Sequence, residues 1–444
     1  MSKLPNIVLL VADDHGRETM GCYGNPQART PHLDSLSADS VTFSNAFCTS
    51  ASCAASRSVI LTGLYNHANG TYGHTHAQHH FSLFQGITTL PACLNLAGYR
   101  TGRIGKTHYA PLEQYPFQVN LPGANRDDVA MSENCRGFIA ESSSPFFLYW
   151  CSLNPHRSAE HHLHEGLKIN HFGNPAQDFP GDRESRFTPA EIAVPPFLND
   201  DLPTRLELAQ YYQSIARLDR GIGRLLAILR QYDKYEDTVI IYVSDNGAAF
   251  PCAKTTLYEP GIRLPCLLKK PGQVDAGSRC ENLISWVDIM PTLLDFAATA
   301  PPGELHGHSF RDTSPAAARA EVFASHTFHE VTNYYPMRAI RTSRYKFIWN
   351  IAHPLTYSFA SDLWNSAVWQ QARNARSQHL GKRSLEDYLH HPRFELFDLE
   401  VDPDELHNLA EEPEYQKMIH EFCSKMQDFQ QRTNDPWRHK WEYE

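Results

Sequence analysis

The sequence predicts an α/β fold, a large mixed and mostly parallel sheet sandwiched by helices, followed by a smaller α+β subdomain. Three observations predict it. Residues 6–11 (NIVLLV), 146–151 (FFLYWC) and 238–243 (TVIIYV) are continuous apolar runs rich in β-branched and aromatic residues, the pattern of strands buried on both faces. Segments with helical spacing lie between them. Beyond about residue 310 the pattern changes to short strands and one amphipathic helix. A chain of 444 residues is long enough for two domains, expected at 1–310 and 311–444.

The elements follow in order. Residues 6–11 form the first strand. Residues 30–40 start with Thr30-Pro31 and place Leu33 and Leu36 on one face, which predicts a short helix. Residues 88–97 predict a second helix, closed by Gly98, and 100–104 a strand. Residues 160–200, rich in Pro, Gly, His and Asp, predict a long surface excursion. The longest helix is expected over 206–232, where Leu208, Tyr211, Ile215, Leu218, Ile222, Leu225 and Leu229 recur at helical spacing. In the second domain, 345–349 and 394–398 read as short strands and 413–433 as an amphipathic helix.

Composition bounds the function. Apolar residues make up 41% and charged residues 20%, ordinary for a globular chain. The net charge of −10 excludes bulk attraction to nucleic acid or an anionic membrane, so an anionic substrate requires a local cationic pocket. No apolar run approaches the roughly 18 residues of a membrane span. The apolar stretch at 7–12 ends at Asp13 and is too short for a signal-peptide core. The chain as written is therefore expected to be cytoplasmic, and periplasmic or secreted if a leader was trimmed. The ten Cys are scattered without a CxxC pair, which predicts free, partly buried thiols in a reducing compartment.

Three constellations carry chemistry. Asp13-Asp14 follows the first strand, at the strand end where ligand sites form in parallel sheets; adjacent carboxylates repel, and a cation stabilises them. Ser244-Asp245-Asn246-Gly247 follows the strand at 238–243 in the same context. Alone it reads as a turn. Together the two strand ends supply Asp13, Asp14, Asp245 and Asn246, an all-oxygen set suited to Ca²⁺ or Mg²⁺ rather than zinc. The third is Cys53-Ala54-Ala55-Ser56-Arg57 running to Leu61-Thr62-Gly63. Residues 54–62 predict a short helix closed by Gly63, with Cys53 at its anion-favouring N-terminus and Arg57 one turn on.

That third string resembles the sulfatase signature, in which the Cys is oxidised to Cα-formylglycine. The resemblance extends along nearly the whole chain. It includes Thr30-Pro31-His32-Leu33-Asp34, Gly105-Lys106-Thr107-His108, Tyr258-Glu259-Pro260-Gly261, Asp288-Ile289-Met290-Pro291-Thr292 and Glu395-Leu396-Phe397-Asp398. Within the family it is nearest to the N-sulfoglucosamine sulfohydrolases (heparan sulfamidases), through His79-His80-Phe81, Asn154-Pro155-His156-Arg157, His329-Glu330-Val331-Thr332, Tyr335-Pro336-Met337-Arg338 and Asn434-Asp435-Pro436-Trp437. Lys254 stands where that branch carries Arg.

The resemblance implies an alkaline-phosphatase-like fold and hydrolysis of a sulfate ester or sulfamate of a sugar, N-sulfoglucosamine among them. The nucleophile would be formylglycine derived from Cys53 by a formylglycine-generating or sulfatase-maturing enzyme. Ca²⁺, or Mg²⁺ in its place, would be held by Asp13, Asp14, Asp245 and Asn246 together with position 53. Arg57, Lys106 and Lys254 would form the cationic cradle, His108 would take a proton during sulfate release, and His156 would protonate the leaving atom. His79, His80, Arg157, His329, Glu330 and Arg338 would contact substrate. A homo-oligomer is left open. Two other readings share these residues: a phosphonate or phosphate ester hydrolase of the same superfamily, and a degenerate sulfatase that only binds sulfated glycans.

Overall fold

Why the first predicted strand lies at the centre of the molecule follows from its side chains. In β1 (Asn6–Ala12), Ile7, Leu9 and Val11 face one apolar cluster while Val8, Leu10 and Ala12 face another, and all six are fully buried. Only a central strand with layers on both sides buries every residue of such a run. The computed structural model describes residues 4–158, 163–164, 167–168, 170–180 and 182–443.

The main sheet adds β2 (Val41–Phe43), β3 (Arg100–Gly105), β4 (Val119–Asn120), β5 (Phe146–Cys151), β6 (Thr238–Ser244), β7 (Cys266–Lys269) and β8 (Arg279–Cys280). The eight strands run in the order β8-β2-β7-β6-β1-β5-β3-β4. The pairs β1–β5, β1–β6, β3–β5, β3–β4 and β8–β2 are parallel, and β7 is antiparallel to both of its neighbours. The sheet is thus mixed and mostly parallel, as expected. The short strands β2, β7 and β8 carry no extended apolar run, and periodicity did not reveal them.

Helices cover both faces. They include α1 (Pro31–Ala38), α2 (Cys53–Thr62), α3 (Leu90–Leu96), α4 (Leu202–Gln231) and α5 (Ile289–Phe296). The long α4 packs Leu218, Ile222, Leu225 and Leu229 against the face shown by Val8 and Leu10. It starts four residues before the predicted position, because Asp201 caps it by accepting from the Thr204 amide at 2.9 Å with Pro203 in the first turn. The excursion expected over 160–200 lies partly outside the described residues. Its described parts include the antiparallel pair Leu163–His164 and Leu167–Lys168 and a 3₁₀ turn at Pro189–Glu191.

The C-terminal part forms a four-stranded antiparallel sheet from β9 (Glu321–His326), β10 (Met337–Thr342), β11 (Tyr345–Asn350) and β12 (Phe394–Asp398), in that order, with α6 (Gln416–Arg432) packed on it. Phe323, Ile340, Phe347 and Phe429 join the same apolar cluster as Val11, Ile60 and Leu293 of the large sheet's layer. This continuous core brings C-terminal residues to the ends of the central strands. All ten Cys are free thiols, eight buried and Cys22 and Cys423 half-buried. Among the described residues no helix is long and apolar enough to cross a membrane.

Candidate functional site

Strand register assembles the site. Ala12 pairs with Ser244, Val11 with Cys151 and Cys151 with Gly105, so four parallel strands end side by side. The residues that follow them, Asp13-Asp14, Asp245-Asn246, the loop to His156, and Lys106, converge at the carboxyl edge of the sheet. Two glycines permit the close approach. Gly105 has φ +82°, and a Cβ there would run into the Cys151 carbonyl; at Gly247 a Cβ would run into the Pro260 carbonyl. Asp14 itself takes a left-handed backbone (φ 65°), which Asp tolerates better than most residues.

The acidic cluster is fully buried and tightly linked. The Asp14 amide donates to Asp245 Oδ1 at 3.0 Å, and Asn246 Nδ2 donates to Asp14 Oδ1 at 2.6 Å. Lys254 Nζ donates to Asp14 Oδ2 at 2.9 Å, and Lys106 Nζ to Asp13 Oδ2 at 2.6 Å. Arg57 Nε donates to Asp245 Oδ2 at 2.9 Å, with Nη2 3.8 Å from Asp13 Oδ1. Burial raises the Asp13 carboxyl, but Lys106, His156 and Arg57 overcome it and hold Asp13 well below the usual range. Burial wins at the other two, aided by the neighbouring carboxylates: Asp14 is raised, and Asp245 is pushed up to about 7 despite Arg57.

These residues fit a hard divalent cation. Asp13 Oδ1 and Asn246 Oδ1 are buried oxygens without a hydrogen-bond partner among the described residues. Asp13, Asp14, Asp245 and Cys53 each offer a donor atom within 4.8 Å of the others. A cation among them relieves the repulsion that raises Asp14 and Asp245 and satisfies both orphaned oxygens.

Cys53 is the first residue of α2 and is wholly buried, with Sγ 3.7 Å from Asp14 Oδ1. The helix ends at Gly63 in the left-handed conformation, as the sequence predicts. Burial pushes the Cys53 thiol well above its ordinary value; Lys106 and Lys254 pull it down, and Asp14 and Asp13 push it back up. An unmodified thiol here stays protonated and is a poor nucleophile.

Above Cys53 opens a cavity of about 720 Å³ walled by Lys106, His108, His156, Lys254, His329 and Asp362. Its link to Cys53 is His156, whose ring nitrogen lies within 4.8 Å of both the thiol and an Asp13 oxygen. A second cavity, about 670 Å³, is lined by Tyr65, Arg319 and Phe429; none of the predicted site residues borders it. The chemistry therefore belongs to the first.

The sulfatase family pattern matches residues 5–299, about two thirds of the chain. The chain belongs to the sulfatase family. The pattern described as N-sulphoglucosamine sulphohydrolase, C-terminal, matches residues 252–365. Human N-sulphoglucosamine sulphohydrolase is 34% identical, over 97% of this chain and 91% of its own length. An ulvan-active sulfatase of Formosa agariphila is 27% identical, over 98% of this chain and 82% of its own. In fold, the chain superposes at a TM-score of 0.73 and 20% identity on a structure solved in complex with its substrate D-glucosamine-2-N,6-O-disulfate, all of both chains being covered. It superposes at 0.68 and 18% identity on the phosphonate monoester hydrolase of Agrobacterium radiobacter, covering 97% of this chain and 96% of that one. Like its relatives named as sulfatases, this sulfatase is a hydrolase.

Not every predicted contact of this sulfatase reaches the cavity with its side chain. Arg57 is wholly buried and braces the carboxylates from behind. Arg157 lines the cavity only beside His156. Its guanidinium forms a two-pronged pair with Glu207 (2.7 and 3.0 Å), donates to the Ala249 carbonyl and lies over Phe172. His80 is exposed and does not border the cavity. Arg338 is fully buried on β10 and grips Asp435 at 2.6 and 3.0 Å. His79, His329 and Glu330 do wall the cavity. His329 Nδ1 pairs with Ser52 Oγ at 2.9 Å, just before Cys53.

Arg338 then has a structural consequence. Burial raises the Asp435 carboxyl, but Arg338 overrides this and holds it below the ordinary range. The pair's contribution is complete above the unfolded carboxyl value of about 3.9 and is lost only as pH falls through the lower folded value. Arg338→Ala is expected to destabilise the fold by about 3–5 kcal/mol, because a buried carboxylate is left uncompensated. Urea unfolding at neutral pH measures it; unchanged stability with a raised KM would restore Arg338 as a substrate contact.

Three site residues escaped sequence reasoning. Asp362, from the C-terminal part, accepts from Lys254 Nζ at 2.8 Å, 108 residues away in sequence. Nothing local marks it. His74 and His76 also wall the cavity. Their signal was visible as the His-rich run His74-Thr75-His76-Ala77-Gln78-His79-His80.

Proposed function

We propose that this sulfatase hydrolyses the sulfamate of an N-sulfoglucosamine residue, and related sugar sulfate esters less well, through formylglycine at position 53 and a bound Ca²⁺. The observation that carries the reading is the stacking of a buried oxygen cluster, Cys53, and two lysines with His156 at the base of one cavity. The match of residues 252–365 to the sulphohydrolase C-terminal pattern and the 34% identity to the human sulphohydrolase support the sugar N-sulfate over other esters.

The cation, held by Asp13, Asp14, Asp245 and Asn246, would supply charge neutralisation at a sulfate oxygen and at position 53. Formylglycine at 53 would supply a hydrated aldehyde, with one hydroxyl to attack sulfur and a second through which sulfate can later be expelled. The rest falls to the chain's own side chains. Lys106 and Lys254 reach the cavity while paired to Asp13 and Asp14, so they meet the anionic group without leaving their carboxylates. His156 delivers a proton to the leaving nitrogen. Burial holds its pKa well below the ordinary value, and Lys106, Lys254 and Arg126 add to that against the pull of Asp13, so protonation of His156 depends on the negative charge that the bound sulfate brings beside it. His108 receives the proton released from the second hydroxyl; burial and Lys106 hold it well below its ordinary value and keep it a free base. Asp362 keeps Lys254 charged and oriented.

Turnover of glucosamine N-sulfate, an aryl sulfate and phenyl phosphonate by one preparation tests this. Glucosamine N-sulfate is expected to give the highest kcat/KM. Preference for the aryl sulfate would remove the sulfamidase part, and phenyl phosphonate ahead by orders of magnitude would favour phosphonate hydrolysis.

A further inference from the structure

At the mouth of the cavity stand three histidines that the acidic cluster does not use. The ring centres of His74, His76 and His108 form a nearly equilateral triangle, with separations of 4.9, 4.8 and 4.9 Å. One nitrogen from each lies within 4.8 Å of the others. His108 Nε2 already approaches His76 Nδ1 at 3.0 Å. His74 Nδ1 and His108 Nδ1 are buried without a partner among the described residues. Unpaired buried ring nitrogens are costly and need explaining. His76 is exposed, so solvent reaches the triangle.

We propose that His74, His76 and His108 form a second metal site, selective for a borderline transition-metal ion such as Zn²⁺, distinct from the oxygen-lined site below it. Imidazole suits zinc where carboxylate and carbonyl oxygen suit calcium. A zinc about 2.1 Å from each nitrogen sets tetrahedral donors about 3.4 Å apart, against the 4.8 Å within which the three nitrogens already lie. Three protein ligands leave the fourth position to water.

The alternative trio His74, His329 and Glu330 also comes within ligating distance. It is less free: His329 Nδ1 is paired with Ser52, and Glu330 Oε1 accepts from Ser361. Burial, with Lys106 and the neighbouring imidazoles, lowers the pKa of all three ligands, so protons compete weakly at neutral pH.

Occupation of this site has a functional consequence that rests on the role given above to His108. A metal-bound imidazole cannot accept a proton, so zinc is expected to inhibit turnover while calcium remains in place.

The binding test does not depend on activity. Cys53→Ala protein saturated with Ca²⁺ is titrated with Zn²⁺ against a chromophoric chelator, and with Co²⁺ to read the intense visible absorption of tetrahedral nitrogen ligation. One zinc equivalent is expected. His76→Ala, a change at an exposed position, is expected to weaken it by at least about 100-fold, since loss of even an outer-shell partner costs about 10–100-fold. No zinc equivalent in Ca²⁺-saturated protein, or equal affinity in His76→Ala, overturns the site. In active enzyme, zinc is expected to lower kcat, with each protein measured against its own zinc-free rate and His76→Ala resisting. Zinc bound without loss of rate overturns the inhibitory role and leaves the substrate assignment untouched.

Discussion

Cys53→Ala is expected to lower turnover of glucosamine N-sulfate by about six orders of magnitude, the scale seen when a covalent nucleophile is removed. The protein should remain folded. Cys53 is buried at the first position of α2, where alanine is a good helix former and the cavity left by one sulfur atom is small. The larger effect on rate than on stability follows from the surroundings. The thiol at 53 makes one polar contact, to Asp14 Oδ1 at 3.7 Å, so its loss removes little that holds the fold. A cysteine left unmodified should be nearly as inactive as alanine, because burial pushes its thiol well above the ordinary value and it stays protonated at neutral pH. Single-turnover assays with circular dichroism on the same sample check both halves. Residual activity within about 100-fold of wild type would mean that another group carries the attack.

The second large effect is expected on removing the divalent cation. A strong chelator, or Asp245→Asn, should lower kcat/KM by about 10³-fold, the equivalent of roughly 4 kcal/mol of transition-state charge stabilisation. The pH dependence follows from Asp245. Its carboxyl is pushed up to about 7 in the cation-free protein, chiefly by burial. A group raised above its ordinary value binds a proton as pH falls through 7, and that proton competes with the cation. Cation affinity is therefore expected to be highest above pH 7 and to drop progressively below it, which a calcium titration at pH 8, 7 and 6 reads out. Full activity in demonstrably metal-free protein would contradict the site, and pH-independent affinity would contradict the role of Asp245.

What was legible in the sequence depended on how local each signal is. The three central strands were read because burial on both faces demands continuous apolar runs, and no other soluble element writes that pattern so plainly. Their polar termini then gave Asp13, Asp14, Asp245 and Asn246, because parallel strands bring consecutive carboxyl ends together whatever lies between them. Cys53 was legible as a short contiguous signature. The strands β9 and β10 were not, since they sit in the antiparallel layer with mixed polar and apolar residues such as Glu321, His326, Arg338 and Arg341.

Side-chain direction is set by partners distant in sequence. Arg157 and Arg338 sit beside family-like residues, but a neighbour in sequence does not fix where a side chain points. Their carboxylate partners lie 50 and 97 residues away, at Glu207 and Asp435. Asp362 was missed for the same reason in reverse: its meaning comes from Lys254, not from its own surroundings in the chain. Buried ion pairs between distant segments leave no periodicity to read.

The mechanism depends on what position 53 is in the active protein, and peptide mass spectrometry across Ser52–Arg57 reads it, on a sample whose sulfamate turnover has been measured. Active preparations are expected to carry an aldehyde there, lighter than the thiol form and captured by a hydrazide, in proportion to activity. A fully active preparation whose peptide contains only unmodified Cys53 would contradict it.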